Sequence, residues 1–369
     1  MDWEDGPHAA VIQMVHSTFV VDSMTKTEFS LEFSISDLAV REKFEGLAKA
    51  LEGTGYVARL VESDGSRHII VQKFYKKERG GRIFNSSWTP RLLFGVVVAF
   101  VMIDGFYRTA GTNTVVEIGD PFEMAVIYTL ALLGILGVHE AGHLVAARMH
   151  GLKTTWPYFI PGLPVIGIPT FGAFIQSRGL TINRPILFDV AIAGPVAGLA
   201  VAVMVSVYGA YTAPVIAEDL AAGFFESKAL GEWNLGEPLL MTASLAAFGK
   251  GVEGGEVIMT PILFAAWIGF LITFLNLLPA WQLDGGHMAR TLMGQKVHRY
   301  ATYGSLAVLV ILGYWIMAIL ILFMSSRNPS ASPLDEVSDL PASRKVAYLG
   351  IVALAVLCAP IPSGIPLLP

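Results

Sequence analysis

The sequence predicts a polytopic α-helical membrane protein. It should have about six transmembrane helices, a membrane-associated β-hairpin and a small N-terminal soluble α+β (βαββ) domain. Three observations carry that prediction. Of 369 residues, 54% are hydrophobic and only 15% charged, with a mean hydropathy of +0.58; a soluble domain carries about 25% charge. Six apolar segments approach the roughly 20 residues needed to cross a bilayer. Ahead of them, residues 1–88 alternate apolar and polar side chains in short runs. We therefore divide the chain into residues 1–88, a cytoplasmic regulatory or docking domain, and residues 89–369, a membrane domain.

In the N-terminal part, TEFSLEFSIS places Phe29, Leu31, Phe33 and Ile35 at alternate positions, the period of a half-buried strand. Ser36 and Asp37 offer an N-cap for a helix marked by Leu38, Phe44, Leu47, Ala48 and Leu51, and Gly53 and Gly55 end it. Alternation returns over Tyr56–Val61 and His68–Phe74, around an Asp64-Gly65 turn that signals a hairpin.

The apolar segments run over about 91–108, 122–149, 186–210, 259–280, 300–324 and 345–361. Lys73, Lys76, Lys77, Arg79, Arg82 and Arg91 precede the first, so the positive-inside rule puts the N-terminus in the cytoplasm. Loop 150–185 (Lys153, Arg178, Arg184) and loop 281–299 (Arg290, Lys296, Arg299) agree. The opposite loops are poor in cations: 109–121 has none and 211–258 has only Lys228 and Lys250. The first long apolar run starts near Leu92, so no secretory signal is expected. The lack of a transit-like leader favours a prokaryotic cell membrane over a plastid.

Two stretches resist a helix reading. Residues 154–179 are apolar but hold Pro157, Pro161, Pro164 and Pro169, which forbid a continuous helix. Irregular backbone at membrane depth survives only where protein or a wet cavity satisfies it. This stretch is expected to be a re-entrant or membrane-surface hairpin. Residues 211–258 mix acidic and apolar residues and are expected on the outer face.

Within the second span, His139, Glu140 and His143 spell H-E-x-x-H. On a helix, positions i and i+4 share a face, so both imidazoles can address one metal ion, and Glu140 can act as a base on water there. The geometry suits zinc, with a third protein ligand required. An ionisable group inside a span costs at least ~2.5 kcal/mol unless it finds a partner, which makes each one a functional suspect. The plainer alternative is a pair of histidines hydrogen-bonded across a helical bundle. A third ligand must be a carboxylate or imidazole at the same depth, and Asp284 in NLLPAWQLDGGH fits. The second and fourth spans both run from outside to inside, which places His139 about 15 Å deep. Pro279 should break the fourth helix and fold the Asp284 segment back into protein.

HEAGH, followed by FGAFI (Phe171–Ile175), AGPVAG (Ala193–Gly198) and NLLPAWQLDGG (Asn276–Gly286), resembles the site-2 protease family of intramembrane metalloproteases. The resemblance covers about residues 120–300, with the N-x-x-P-x-x-x-L-D-G spacing intact, and is nearest the archaeal, bacterial and plastid branch without PDZ or CBS domains. It implies that His139, His143 and Asp284 bind one Zn2+ and that Glu140 is the catalytic base. It adds Asn276 as a polar catalytic partner and puts the proline-rich hairpin beside a membrane-spanning protein substrate, which the hairpin could hold by strand addition at residues 154–179.

Other features have duller explanations. The small residues of AGPVAG more often serve helix packing than a functional kink. His287 is a weak candidate for a spare ligand, and Asp189 could sit near a water route or act as a cap. His150 and His298 look interfacial, Cys358 looks like a packing residue, and Asp104 has no explanation from sequence. A single cysteine excludes an internal disulfide and a Cys-based metal site. A net charge of −5 with no basic stripe argues against nucleic acid. Three rival readings remain at this level: a zinc protease trimming prenylated C-termini, a non-enzymatic chaperone or adaptor, and a metal transporter. The sequence leaves substrate, triggering signal and oligomeric state open.

Overall fold

The computed structural model describes residues 7–63, 65–73, 88–152, 154–165, 167–174, 182–227, 235–251, 255–327 and 333–362. The cations at 76–82, Lys153, Arg178, Ile175, Lys228 and the turn residue Asp64 lie outside them.

The N-terminal part is an antiparallel sheet of four strands with two helices. α1 (Pro7–Thr18) leads into β1 (Val21–Lys26), β2 (Ser30–Ile35), α2 (Val40–Leu51), β3 (Tyr56–Ser63) and β4 (Ser66–Lys73), with strand order β1-β2-β4-β3. The expected βαββ unit is therefore present, extended by α1 and β1. Both escaped the sequence reading for physical reasons. In β1 only Val21 is even half-buried, so no alternation marks it; α1 buries a narrow stripe of Val11 and Val15. Leu31, Phe33, Phe44, Leu47, Leu60, Ile69 and Val71 form the core. The expected cap is corrected: α2 starts after Ala39 without a side-chain cap. Asp37 instead accepts from the Val20 N–H and pairs with Lys43, which holds its carboxyl below the usual carboxylate range.

The remainder is helical. Among the described residues three helices are long and apolar enough to cross a membrane: α3 (Thr89–Thr112), α4 (Pro121–Met149) and α5 (Arg184–Thr212). Between α4 and α5 lies an antiparallel hairpin, β5 (Tyr158–Pro161) and β6 (Thr170–Phe174), where the prolines forbid helix. The stretch after α5 folds as β7 (Val215–Ala217), α6 (Glu218–Glu226), α7 (Leu239–Ala246) and β8 (Gly255–Val257). Its α7 buries Met241 and Leu245 in the same core as the long helices. At that end Lys250 donates to the carbonyls of Ala210, Tyr211 and Ala213 at 2.6–2.8 Å, a cation at a helix C-terminus.

α8 (Pro261–Leu277) is apolar but only 17 residues long, and almost every side chain on it is buried. It is the centre of the bundle. α9 (Asp284–Ile311), α10 (Trp315–Arg327) and α11 (Ala342–Cys358) follow. The expected fifth span over 300–324 is not one helix. Gly313, at φ +81°, stops α9, and Tyr314 N–H returns to Leu309 O at 2.8 Å in a Schellman closure. α9 itself kinks at Gly294, at φ 73°. The expectation of six spans thus reduces to three long apolar helices, the short buried α8 and a broken C-terminal set.

One short segment ties the two parts together. Leu60 pairs in parallel with Asp335 at the open edge of β3, with N–H···O bonds of 2.8 and 3.0 Å to Leu334 and from Glu336. The Glu336 carboxylate takes Arg59 of β3 at 3.1 Å and the buried Arg290 of α9 at 3.2 Å, while Arg184 of α5 donates to the Glu336 carbonyl. Hydrogen bonds to charged groups contribute about 1.5–3 kcal/mol each. We expect Glu336→Ala to destabilise this junction by at least about 2 kcal/mol. Limited proteolysis in detergent should release the N-terminal sheet faster than in wild type, and an unchanged digestion rate would refute the assignment.

Candidate metal centre

α4 and α8 run parallel, with Ile135 against Gly269 and His139 against Asn276, which brings the two sequence signatures together. His139 and His143 lie one turn apart on α4, as i,i+4 spacing requires. The third group arrives by a different device. α8 stops at Leu277 before Pro279, the chain turns through Trp281 at φ +45°, and α9 restarts at Asp284. The carboxylate thus sits in the first turn of a helix, where the peptide dipoles favour an anion. Gly285 and Gly286 make the turn feasible. A Cβ on Gly285 would stand 2.1 Å from Leu277 O, and one on Gly286 would stand 2.4 Å from Ala280 O.

His139 Nε2 and His143 Nε2 are 3.2 Å apart, and each faces Asp284 Oδ2, at 3.4 and 3.3 Å. His139, His143 and Asp284 are the metal-competent cluster among the described residues, and His287 is not part of it. The donor set fits zinc. Tetrahedral Zn–N and Zn–O bonds of about 2.0–2.1 Å separate neighbouring donors by about 3.3 Å, the spacing seen here. His143 Nδ1 donates to the Val190 carbonyl at 2.8 Å, and a carbonyl only accepts, so the Nε2 lone pair is left for the cluster. Asn276 Nδ2 lies 3.4 Å from His139 Nε2, on the side of the same lone pair. Two imine nitrogens and a carboxylate oxygen converge, and a shared cation satisfies all three. Glu140 is 5% exposed, and its Oε2 has no hydrogen-bond partner among the described residues. A buried carboxylate oxygen left open beside such a cluster is the mark of a group waiting for a partner.

All five predicted site residues therefore meet at one place. What the sequence reading missed is the floor beneath them. The AGPVAG motif on α5 is close packing, as expected, but the packing is against the ligands themselves. A Cβ on Gly194 would stand 2.1 Å from His143 Nε2, and one on Gly198 would stand 2.8 Å from the His139 Cβ. Gly142, inside HEAGH, abuts the Ala193 carbonyl at 2.5 Å in the same sense. The signal was available in the alignment of small residues at Gly142, Gly194 and Gly198. Asp189, near the start of α5, pairs with Arg344 at 3.0 Å and His150 at 3.6 Å, so it ties α4, α5 and α11 together.

Residues 127–319, just over half the chain, match the profile of Peptidase family M50. The chain is 32% identical over 244 residues to "Probable zinc metalloprotease EGY2, chloroplastic" of Arabidopsis thaliana, covering 62% of this chain and 40% of that protein. It is 29% identical over 297 residues to the protein of the same name from Oryza sativa subsp. indica (75% and 50%). It is also 30% identical over 256 residues to "Probable zinc metalloprotease EGY1, chloroplastic" of Arabidopsis thaliana (66% and 44%). The chain thus spans half or less of the length of these relatives. No solved structure matches it.

The glycine floor yields a test. Gly194→Ala should push the His143 ring out of line and lower bound metal at least about tenfold, as read by elemental analysis of the purified protein. Gly137→Ala, where a Cβ meets nothing within 4 Å, serves as the control on α4. Full metal content in Gly194→Ala would show that the ring has other room.

Proposed function

The chain belongs to peptidase family M50, and from that premise we propose that it is an intramembrane zinc endopeptidase that cuts membrane-spanning segments of other proteins. The observation that carries the reading is the convergence of His139, His143 and Asp284, from two separate motifs, beside the open oxygen of Glu140. In this reading residues 89–369 are the protease domain, and residues 1–88 regulate it or dock partners.

His139, His143 and Asp284 would hold one zinc ion. When bound, zinc polarises a carbonyl and lowers the pKa of water toward about 7. Glu140 Oε2 takes the proton of the attacking water and later returns it to the leaving amine. Val190 fixes the tautomer and orientation of His143. Asp284 supplies a negative charge that makes the cation tolerable in a low-dielectric setting. Asn276 Nδ2 offers a hydrogen-bond donor at the cluster's edge, available to a developing oxyanion.

A membrane-spanning substrate hides its amides in helical hydrogen bonds and must unwind before attack. The β5–β6 hairpin supports that step, because β6 pairs only with β5 among the described residues. An extended segment can add to its free edge. Arg91 and Arg184 lie in the first turns of α3 and α5, and Arg290, Lys296 and Arg299 follow Asp284 on α9, a distribution that supports placing the site and the N-terminus toward the cytoplasm. The same charge distribution would orient the chain in a prokaryotic cell membrane or in a plastid membrane.

Glu140→Gln should keep about one zinc per chain and lose cleavage of a single-span peptide by at least about a thousandfold. Asp284→Ala should lose the zinc itself. Activity surviving in Glu140→Gln would rule out Glu140 as the base. Separately, Ala173→Pro should reduce cleavage with zinc retained, because a proline interrupts the β6 edge; undiminished cleavage would remove the strand-addition step.

A further inference from the structure

Asp104 has no role in the metal centre, yet it is fully buried within α3. Its Oδ2 accepts from Arg108 Nε at 2.7 Å and from the Tyr128 hydroxyl at 2.8 Å. Its Oδ1 accepts the backbone N–H of Val165 at 2.7 Å. Arg108 donates a second time, to the Gly167 carbonyl at 3.1 Å, with its guanidinium 3.5 Å above the Phe264 ring. An ion pair one turn apart on a single helix could satisfy itself locally. Here each member makes a further bond to the backbone of the hairpin tip, at Val165 and Gly167.

The hairpin runs along α3 from one end to the other of this contact. Phe159 of β5 packs against Phe94 with ring centroids 5.0 Å apart and the rings tilted by 59°, and the tip reaches Asp104. Phe94 lies about 8 Å and Asp104 about 22 Å along α3 from Thr89. Gly105 packs on Ala125 and Tyr128 of the antiparallel α4. His139, about 21 Å along α4 from Ala125, therefore stands near the level of Phe94, about 17 Å along α3 from Gly105. The tip is fixed at Asp104 and the strands reach the level of the cluster. The tip is also closed tightly, with Gly162 N–H on Pro169 O at 3.0 Å and Leu163 N–H on Ile168 O at 2.8 Å. Val165 sits at φ 69°, a left-handed conformation that a β-branched residue adopts only when its surroundings impose it. The Asp104 and Arg108 bonds to the tip both go to backbone atoms, so they specify where the tip stands and ignore its side chains.

We infer that Asp104 and Arg108 are positioning residues that set the depth of the hairpin relative to Glu140 and the His139–His143–Asp284 cluster, and thereby select which peptide bond of a membrane-spanning substrate is cut. The inference rests on the protease reading above. From the pinned tip, β5 and β6 pair down to Tyr158 opposite Phe174. A slip of the tip by one residue, about 3.3 Å, carries the free β6 edge with it. A segment added to that edge then meets the cluster one or two residues out of register.

The test uses the full chain, zinc-loaded, in detergent, with a single-span peptide that the wild-type protein cuts. Asp104→Leu and Arg108→Met are compared with wild type for zinc content, KM, kcat and cut position by mass spectrometry. We expect one zinc per chain and little change in kcat. The cut should move by one or two residues, or KM should rise about tenfold. An unchanged cut position with unchanged KM in both variants overturns the inference. Arg108→Met leaves Asp104 bonded to Tyr128 and Val165, so it decides the matter alone if Asp104→Leu does not retain zinc. Loss of zinc in Arg108→Met as well overturns the inference in favour of a purely structural pair. A wild-type protein that cuts no such peptide would instead count against the protease reading.

Discussion

A charge in a low-dielectric bundle must be answered at its own depth, and the whole membrane part of this chain is arranged around that constraint. Ionisable side chains are few along the apolar helices, and several of the buried ones are paired. The imidazoles of α4 face the carboxylate of α9. Asp104 and Arg108 on α3 face each other and the hairpin tip. Lys250 donates to three carbonyls at the C-terminal end of α5. Glu140 Oε2, like Asp335 Oδ2, is a buried carboxylate oxygen without a hydrogen-bond partner among the described residues. What distinguishes Glu140 is its place next to His139 in the H-E-x-x-H turn, where its neighbours are three converging metal-competent donors.

The same constraint explains where the small residues fall. To bring ligands from α4 and α9 within 3.4 Å of each other, helix backbones must approach more closely than ordinary side chains permit. Gly142, Gly194 and Gly198 remove volume between α4 and α5, and Gly285 and Gly286 remove it where α9 turns back on the end of α8. These glycines serve for lack of a Cβ, since none of the five sits at positive φ. Pro195 and Pro279 act in the complementary way. One lies within α5, close to the carbonyl that orients His143, and the other lies in the turn that frees Asp284 from α8.

Legibility in the sequence followed how local each signal is. H-E-x-x-H is an i,i+4 pattern on one helix, and the Asp284 motif carries its own turn chemistry, so both were readable and the structure brings them together. Long apolar runs marked α3, α4 and α5. Gly313 was a stop signal hidden between two apolar stretches, where composition alone reads as one span. Asp104 could not be explained from sequence because two of its partners lie at Tyr128 and Val165. The β1 strand was invisible because it is exposed nearly throughout. Pairing between Leu60 and Asp335 joins residues whose separation no periodicity can report.

That last pairing bears on how the N-terminal sheet meets the membrane helices. An open edge such as β3 invites further pairing, and the 334–336 segment covers it from the far end of the chain. Glu336 then stands between Arg59 of the sheet and Arg290 of α9, while its carbonyl holds Arg184 at the start of α5. Arg290 lies about 9 Å along the helix from Asp284, and α9 does not kink until Gly294. Less than two turns of unbroken helix therefore separate the junction from a metal-site carboxylate, and α5, held at the same junction, carries the glycine floor under the imidazoles. The sheet cannot move relative to the bundle without straining the two helices on which the geometry of the site depends.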